Sequence, residues 1–94
     1  MKYSENCVYA VKVPSGFKIG YTSRLGDRLS SFQKRNGCAC YPYVLVTGLL
    51  RSDAQDLEAE IHSKLSRFHV LQETFDCTEQ DVLEAFANRG RILA

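Results

Sequence analysis

Apolar residues along the chain switch between two spacings, and the switches mark the elements. Cys7-Val8-Tyr9-Ala10-Val11-Lys12-Val13 is rich in β-branched and aromatic residues and predicts a strand. Pro14-Ser15-Gly16 reads as a turn, and Phe17-Lys18-Ile19-Gly20-Tyr21 alternates apolar with other residues. The two runs predict a β-hairpin with a three- or four-residue loop. Leu25, Leu29 and Phe32 then recur at helical spacing. They predict a helix capped by Thr22 or Ser23, running to about Arg35 and ending at Asn36-Gly37. After a loop over residues 38–42, Tyr43-Val44-Leu45-Val46-Thr47 predicts a third strand, with Gly48 letting it finish or bend.

Ser52-Asp53-Ala54-Gln55 has the form of a capping box, and Leu57, Ile61, Leu65 and Phe68 form an apolar stripe behind it. This is the longest helical pattern in the chain. Residues 69–76 suggest a short extended piece or loop. Thr78 is placed to cap a last helix through about Asn88, with Val82, Leu83 and Phe86 inward. The order ββαβαα predicts an α+β fold: a small three-stranded β-sheet flanked by helices, with residues 1–94 forming a single domain.

Composition adds limits. Of 94 residues, 45% are hydrophobic and 24% charged, enough apolar content for one folded core and against disorder. No apolar stretch approaches the roughly 20 residues of a membrane span, and Met1–Asn6 lacks the apolar core of a signal peptide. The expectation is a soluble, intracellular (cytoplasmic) protein with no membrane partner.

The net charge of +1 conceals an asymmetry. Residues 1–51 hold eight Lys or Arg against two Asp or Glu, whereas residues 52–94 hold four against nine. A basic half suits a polyanion such as nucleic acid. A dipolar chain whose halves interleave in space would show the same arithmetic. The cysteines are Cys7, Cys38, Cys40 and Cys77. Cys38 and Cys40 form C-x-C rather than the C-x2-C of zinc modules, so a zinc site using Cys38, Cys40, Cys77 and His69 has irregular spacing. The simpler reading is reduced thiols, with Cys7 and Cys77 packed as small hydrophobes.

Several polar residues border the apolar faces. Arg24, Arg28, Ser31 and Arg35 fall on one narrow arc beside the Leu25/Leu29/Phe32 face. Arg28 would therefore border the core, where its planar, permanently charged fork suits phosphate. A solvated helix face is the alternative. On the long helix, Glu58 and His62 are i, i+4 neighbours beside the apolar stripe. A carboxylate there suits a hard cation such as Mg²⁺ or Mn²⁺, and a histidine can serve as general acid or base; a plain surface hydrogen bond is again the alternative. Gly20 permits a close approach to the sheet, and Phe75 would anchor Glu73 near the domain edge.

Val8-Tyr9, then Lys18-Ile19-Gly20-Tyr21-Thr22, then Arg28 eight residues after Gly20, resemble the opening of the GIY-YIG nuclease superfamily. Leu57-Glu58-x-x-x-His62 followed by Glu73-x-Phe75-Asp76 resembles its phage-type branch, which carries KIG in place of YIG. The likeness covers residues 7–86. Cys7 stands at the first Gly of GIY, Lys18 at the Tyr of YIG, and Phe32 where His is frequent; the chain has no Trp.

The resemblance implies a divalent-metal-dependent endonuclease acting on nucleic acid, DNA before RNA, as a monomer or weak homodimer. It implies Tyr9, Lys18, Arg28 and His62 as catalytic and Glu58 as the ligand of one Mg²⁺ or Mn²⁺. Tyr9 would orient or deprotonate the attacking water, and Arg28 would stabilise charge on the scissile phosphate. Lys12, Arg24 and Arg35 are the expected nucleic-acid contacts, with Tyr21 and Glu73 as further candidates. A catalytically inactive nucleic-acid-binding or adaptor module on the same fold is the alternative.

Overall fold

The computed structural model describes residues 6–37, 40–87, 89 and 91–92. The elements follow in the order β1 (Asn6–Val13), β2 (Gly16–Thr22), α1 (Leu25–Asn36), β3 (Tyr41–Leu49) and α2 (Arg51–Lys64). A short 3-10 turn at Ser66–Phe68 leads to β4 (His69–Leu71), β5 (Thr74–Phe75), α3 (Glu79–Phe86) and β6 (Arg91–Ile92). The strands form one antiparallel sheet in the order β4-β5-β2-β1-β3-β6. The fold is α+β.

β1 lies in the sheet interior, paired with β2 on one side and β3 on the other. Both its faces are covered, which is why its sequence is almost continuously apolar. Val8 and Ala10 join Phe17, Ile19 and Val44 under the α2 stripe Ala54, Leu57, Ile61 and Leu65 and under Val82 and Phe86 of α3. Tyr9, Val11 and Val13 point the other way, to Phe32 of α1 and to Cys40, with Leu25 and Leu29 beside them. Tyr9 is fully buried, its ring edge-on to Phe32 at 6.0 Å. One helix therefore covers one sheet face and two cover the other. This layering sends Tyr9, Lys18 and Gly20 toward α1, and Tyr21 toward α2.

The sheet is wider than the expected three strands. β4, β5 and β6 are two or three residues long, too short to display a period of two, so no pattern in the sequence marks them. The expected extended piece at 69–76 is a β-hairpin whose inner strand pairs with β2 through Phe17–Phe75 and Lys18–Thr74. The first hairpin loop is two residues, Pro14-Ser15, because Gly16 already pairs with Val13. Gly16 has φ +135°, and any Cβ there would collide with the Phe75 carbonyl.

β3 starts at Tyr41 rather than Tyr43. Pro42 enters opposite Val11, where the ladder shifts register and a bulge relieves the missing N–H. Two caps differ from expectation. The Thr22 hydroxyl accepts from the Arg24 amide at 3.0 Å, so it shapes the turn, and α1 begins at Leu25 with no side-chain cap. Ser52 lies inside α2, whose first turn follows Leu50, also without a side-chain cap. Thr78 does cap α3, in a capping box with Asp81. That helix stops at Phe86 as Ala87 turns left-handed; Asn88 lies outside the described residues.

Candidate functional site

Three segments far apart in the chain meet at one cleft of about 740 Å³. α1 supplies Arg28, α2 supplies Glu58, and the turn between β4 and β5 supplies Glu73; Tyr21, Thr22 and Arg51 complete the wall. The Glu73 carboxylate has two neighbours. Its Oε1 accepts from the Tyr9 hydroxyl at 2.6 Å, and its Oε2 stands 4.0 Å from an Arg28 nitrogen. The Tyr9–Glu73 bond passes directly over Gly20, where a Cβ would be 2.7 Å from the phenol oxygen and 2.9 Å from Oε1. What approaches the sheet at Gly20 is thus this hydrogen-bonded pair.

Burial, then the Glu73 hydrogen bond and charge, push the Tyr9 hydroxyl well above its ordinary range, against a weaker opposing pull from Arg28. Tyr9 stays a protonated donor, which does not suit a general base. Glu58 is pushed up as well, first by burial and then by the Glu73 charge; His62, the Tyr21 backbone amide and Arg28 oppose the shift. A carboxylate destabilised in this way, beside a second one, gains from a cation. Among the described residues no group of three or more His, Cys, Asp or Glu is gathered for a metal. Glu58 and Glu73 offer the cleft oxygen donors, the kind that hard cations such as Mg²⁺ take.

A second, smaller pocket of about 280 Å³ adjoins the cleft on the α1 side and shares Arg28 and Glu73 with it. Lys18, Ser31 and Arg35 line it. The expected arc on α1 thus faces one concavity through Arg28, Ser31 and Arg35. Lys18 is 8% exposed; its ammonium donates to the Thr74 hydroxyl at 3.0 Å and lies 5.4 Å from the centre of the Phe32 ring. It stands in this pocket and not among the residues lining the larger cleft.

Other expected residues fall elsewhere. His62 is bonded through Nε2 to the Ile19 carbonyl at 2.7 Å, with its ring edge-on to Phe75 at 4.8 Å. It joins α2 to β2 and is not among the residues that line the cleft. Lys12 points to the α3 side and pairs with Glu79 at 2.7 Å, at the turn end of the β1–β2 hairpin, whereas the cleft lies at its open end. It does not extend the basic rim. Arg24 is exposed at the start of α1, loosely paired with Asp27 at 3.8 Å. The zinc reading fails on placement: Cys40 is buried on the α1 face and Cys77 packs on the opposite face, while the His69 ring bonds the Gln72 carbonyl. Cys38 lies outside the described residues. Cys7 is buried as expected of a small hydrophobe.

Arg51 is not among the candidates the sequence offers, and Gln55 figures there only in the capping-box pattern. With Glu58 and His62 they make a polar stripe on α2 at positions i, i+4, i+7 and i+11, running alongside the apolar stripe. That regular spacing is the signal that could have found them. Gln55 donates to the Tyr21 hydroxyl oxygen at 2.8 Å, and the Arg51 guanidinium faces the same oxygen; together they draw its pKa down.

The chain matches the T5orf172 domain over residues 6–89, a domain found in phage-type and other endonuclease-like proteins and associated with nuclease and DNA-binding activity. No curated protein and no solved structure matches it. No helix among the described residues is long and apolar enough to cross a membrane.

Proposed function

The chain belongs to the T5orf172 domain family, and on that footing we propose that it is a divalent-metal-dependent endonuclease hydrolysing phosphodiester bonds in DNA, built on a GIY-YIG-like plan. The observation that carries this reading is the convergence of Arg28, Glu58 and Glu73 on one cleft above the buried Tyr9 hydroxyl. Carboxylates that hold a cation and a water, facing a guanidinium that meets a phosphate, are the parts such a hydrolysis needs.

Glu58 would hold one Mg²⁺ or Mn²⁺. When bound, the ion supplies Lewis acidity to the phosphoryl oxygens. Arg28, only loosely paired at 4.0 Å and 40% exposed, offers its fork to the scissile phosphate as charge grows there. Glu73, held by the Tyr9 hydroxyl, faces the cleft as a hydrogen-bond acceptor that can orient an attacking water. Tyr9 acts through Glu73: its hydroxyl fixes the carboxylate from below. Lys18 and Arg35 extend positive charge along the α1 side, and Arg51 does so on the α2 side, so that a strand could be tracked past the centre.

The experiment is cleavage of single- and double-stranded DNA with Mg²⁺ or Mn²⁺. Glu58→Ala and Arg28→Ala are each expected to abolish cleavage while the far-ultraviolet circular dichroism stays unchanged. If both variants cut like the parent, this centre is not the active one. A binding module without turnover draws support from one observation: Tyr9 is wholly buried and committed to Glu73. Chelation separates the two readings, since EDTA stops turnover and leaves simple salt-sensitive binding in place.

A further inference from the structure

Tyr21 lines the cleft on its α2 side. Its ring packs against the α2-side core, and its hydroxyl reaches toward α2. A phenol oxygen accepts through its lone pairs and donates one proton. Gln55 donates to the oxygen at 2.8 Å, and Arg51 presents a second donor to it. Gln55 turns its donating Nε2, not its accepting Oε1, to the phenol, and a guanidinium has no acceptor, so the hydroxyl proton points elsewhere. No described residue accepts it, and Tyr21 lines the open cleft.

We infer that Tyr21 is a substrate-contacting residue of the proposed nuclease: held by Gln55 and Arg51, it donates its O–H to a non-bridging phosphate oxygen from the α2 wall, facing Arg28 on the α1 wall. Arg51 sets positive charge beside that donor, and Gln55 is a positioning residue that fixes the phenol. The cleft thereby grips a phosphodiester from both sides. Carboxylates cannot do this, because an ionised carboxylate accepts only. The inference rests on the nucleic-acid reading of the cleft.

The test measures binding of a fluorescent DNA oligonucleotide across a salt series in Ca²⁺, alongside steady-state cleavage in Mg²⁺. Tyr21→Phe is expected to weaken binding about tenfold, the order for a hydrogen bond to a charged group. Its salt slope should match the parent's, because a neutral donor displaces no counterion. Arg51→Met should weaken binding and lower the slope by about one phosphate contact. Gln55→Leu should weaken binding less than Tyr21→Phe. In cleavage, Tyr21→Phe should raise KM with kcat little changed, at an unaltered melting temperature. Tyr21→Phe that binds as tightly as the parent at every salt concentration overturns the inference while the nuclease reading stands. A parent that neither binds nor cuts DNA overturns the nuclease reading, and the inference falls with it.

Discussion

Tyr9 and Glu73 are 64 residues apart in sequence, and the phenol donates to the carboxylate at 2.6 Å across the bare Cα of Gly20. A strand residue at the sheet centre thereby fixes an acid carried on a peripheral turn. The glycine is the condition for that contact, because a methyl group would occupy the space of the hydrogen bond.

Gly20→Ala is therefore expected to part Tyr9 from Glu73. Tyr9 cannot retreat, since its ring is wedged against Phe32. Urea unfolding should show a loss of about 1–3 kcal/mol from overpacking, and any cleavage should fall with it. Full parental stability would mean that the pair re-forms around the methyl group.

Alkaline unfolding provides a second test. An unfolded tyrosine ionises near pH 10.0, whereas buried Tyr9 holds its proton well above that. As pH rises past 10, the unfolded chain releases a proton that the folded chain keeps, so the fold loses stability from there upward. Tyr9→Phe should lose that part of the alkaline decline. At neutral pH the same variant should cost about 1–3 kcal/mol, because Glu73 loses its donor. Denaturant melts in a pH series read both effects.

His62→Ala should lower stability by about 1–3 kcal/mol, because the Ile19 carbonyl loses its partner and Phe75 loses an edge contact. The pH dependence of any cleavage should keep its shape. A lost acidic or neutral limb would instead restore His62 to the chemistry.

Arg28→Lys should behave much like Arg28→Ala in cleavage, with a loss on the order of 100-fold or more. A point charge does not reproduce a two-pronged contact to phosphate. Single-turnover rates at saturating enzyme check this.

The basic residues divide by position. Arg35→Ala should reduce the salt slope of DNA binding by about one contact. Lys12→Ala should leave the slope unchanged, because Lys12 pairs with Glu79 at the turn end of the β1–β2 hairpin, away from the cleft. For stability the exposed Lys12–Glu79 pair contributes little, because both groups stay in contact with water.

Much of the frame was legible because periodicity is strong where burial is one-sided. The Leu57, Ile61 and Leu65 stripe and the Leu25, Leu29 and Phe32 stripe fixed which helix faces turn inward. Spacing also placed Arg28 and Glu58 at core edges, and both stand on the cleft. The short strands β4, β5 and β6 were illegible, because two or three residues hold no period. Missing β4 and β5 concealed how Glu73 reaches Tyr9. Charge in sequence does not say that Lys12 stands at the turn end of the first hairpin, away from the cleft. The partner of His62 was illegible, because a histidine beside a carboxylate has the same spacing whether its ring meets solvent or the Ile19 carbonyl.

The hairpin bearing Glu73 has an outer strand, His69–Leu71, that is exposed along its length, and an inner strand of two residues. Its deepest attachment is the Phe75 ring, 1% exposed between His62 and His69. Around that ring the Glu73 carbonyl accepts from the Ile19 amide at 3.0 Å and the Thr74 hydroxyl accepts from Lys18 at 3.0 Å. The acid is thus gripped by backbone and side chain together, so its position is inherited from β2 rather than from the exposed outer strand.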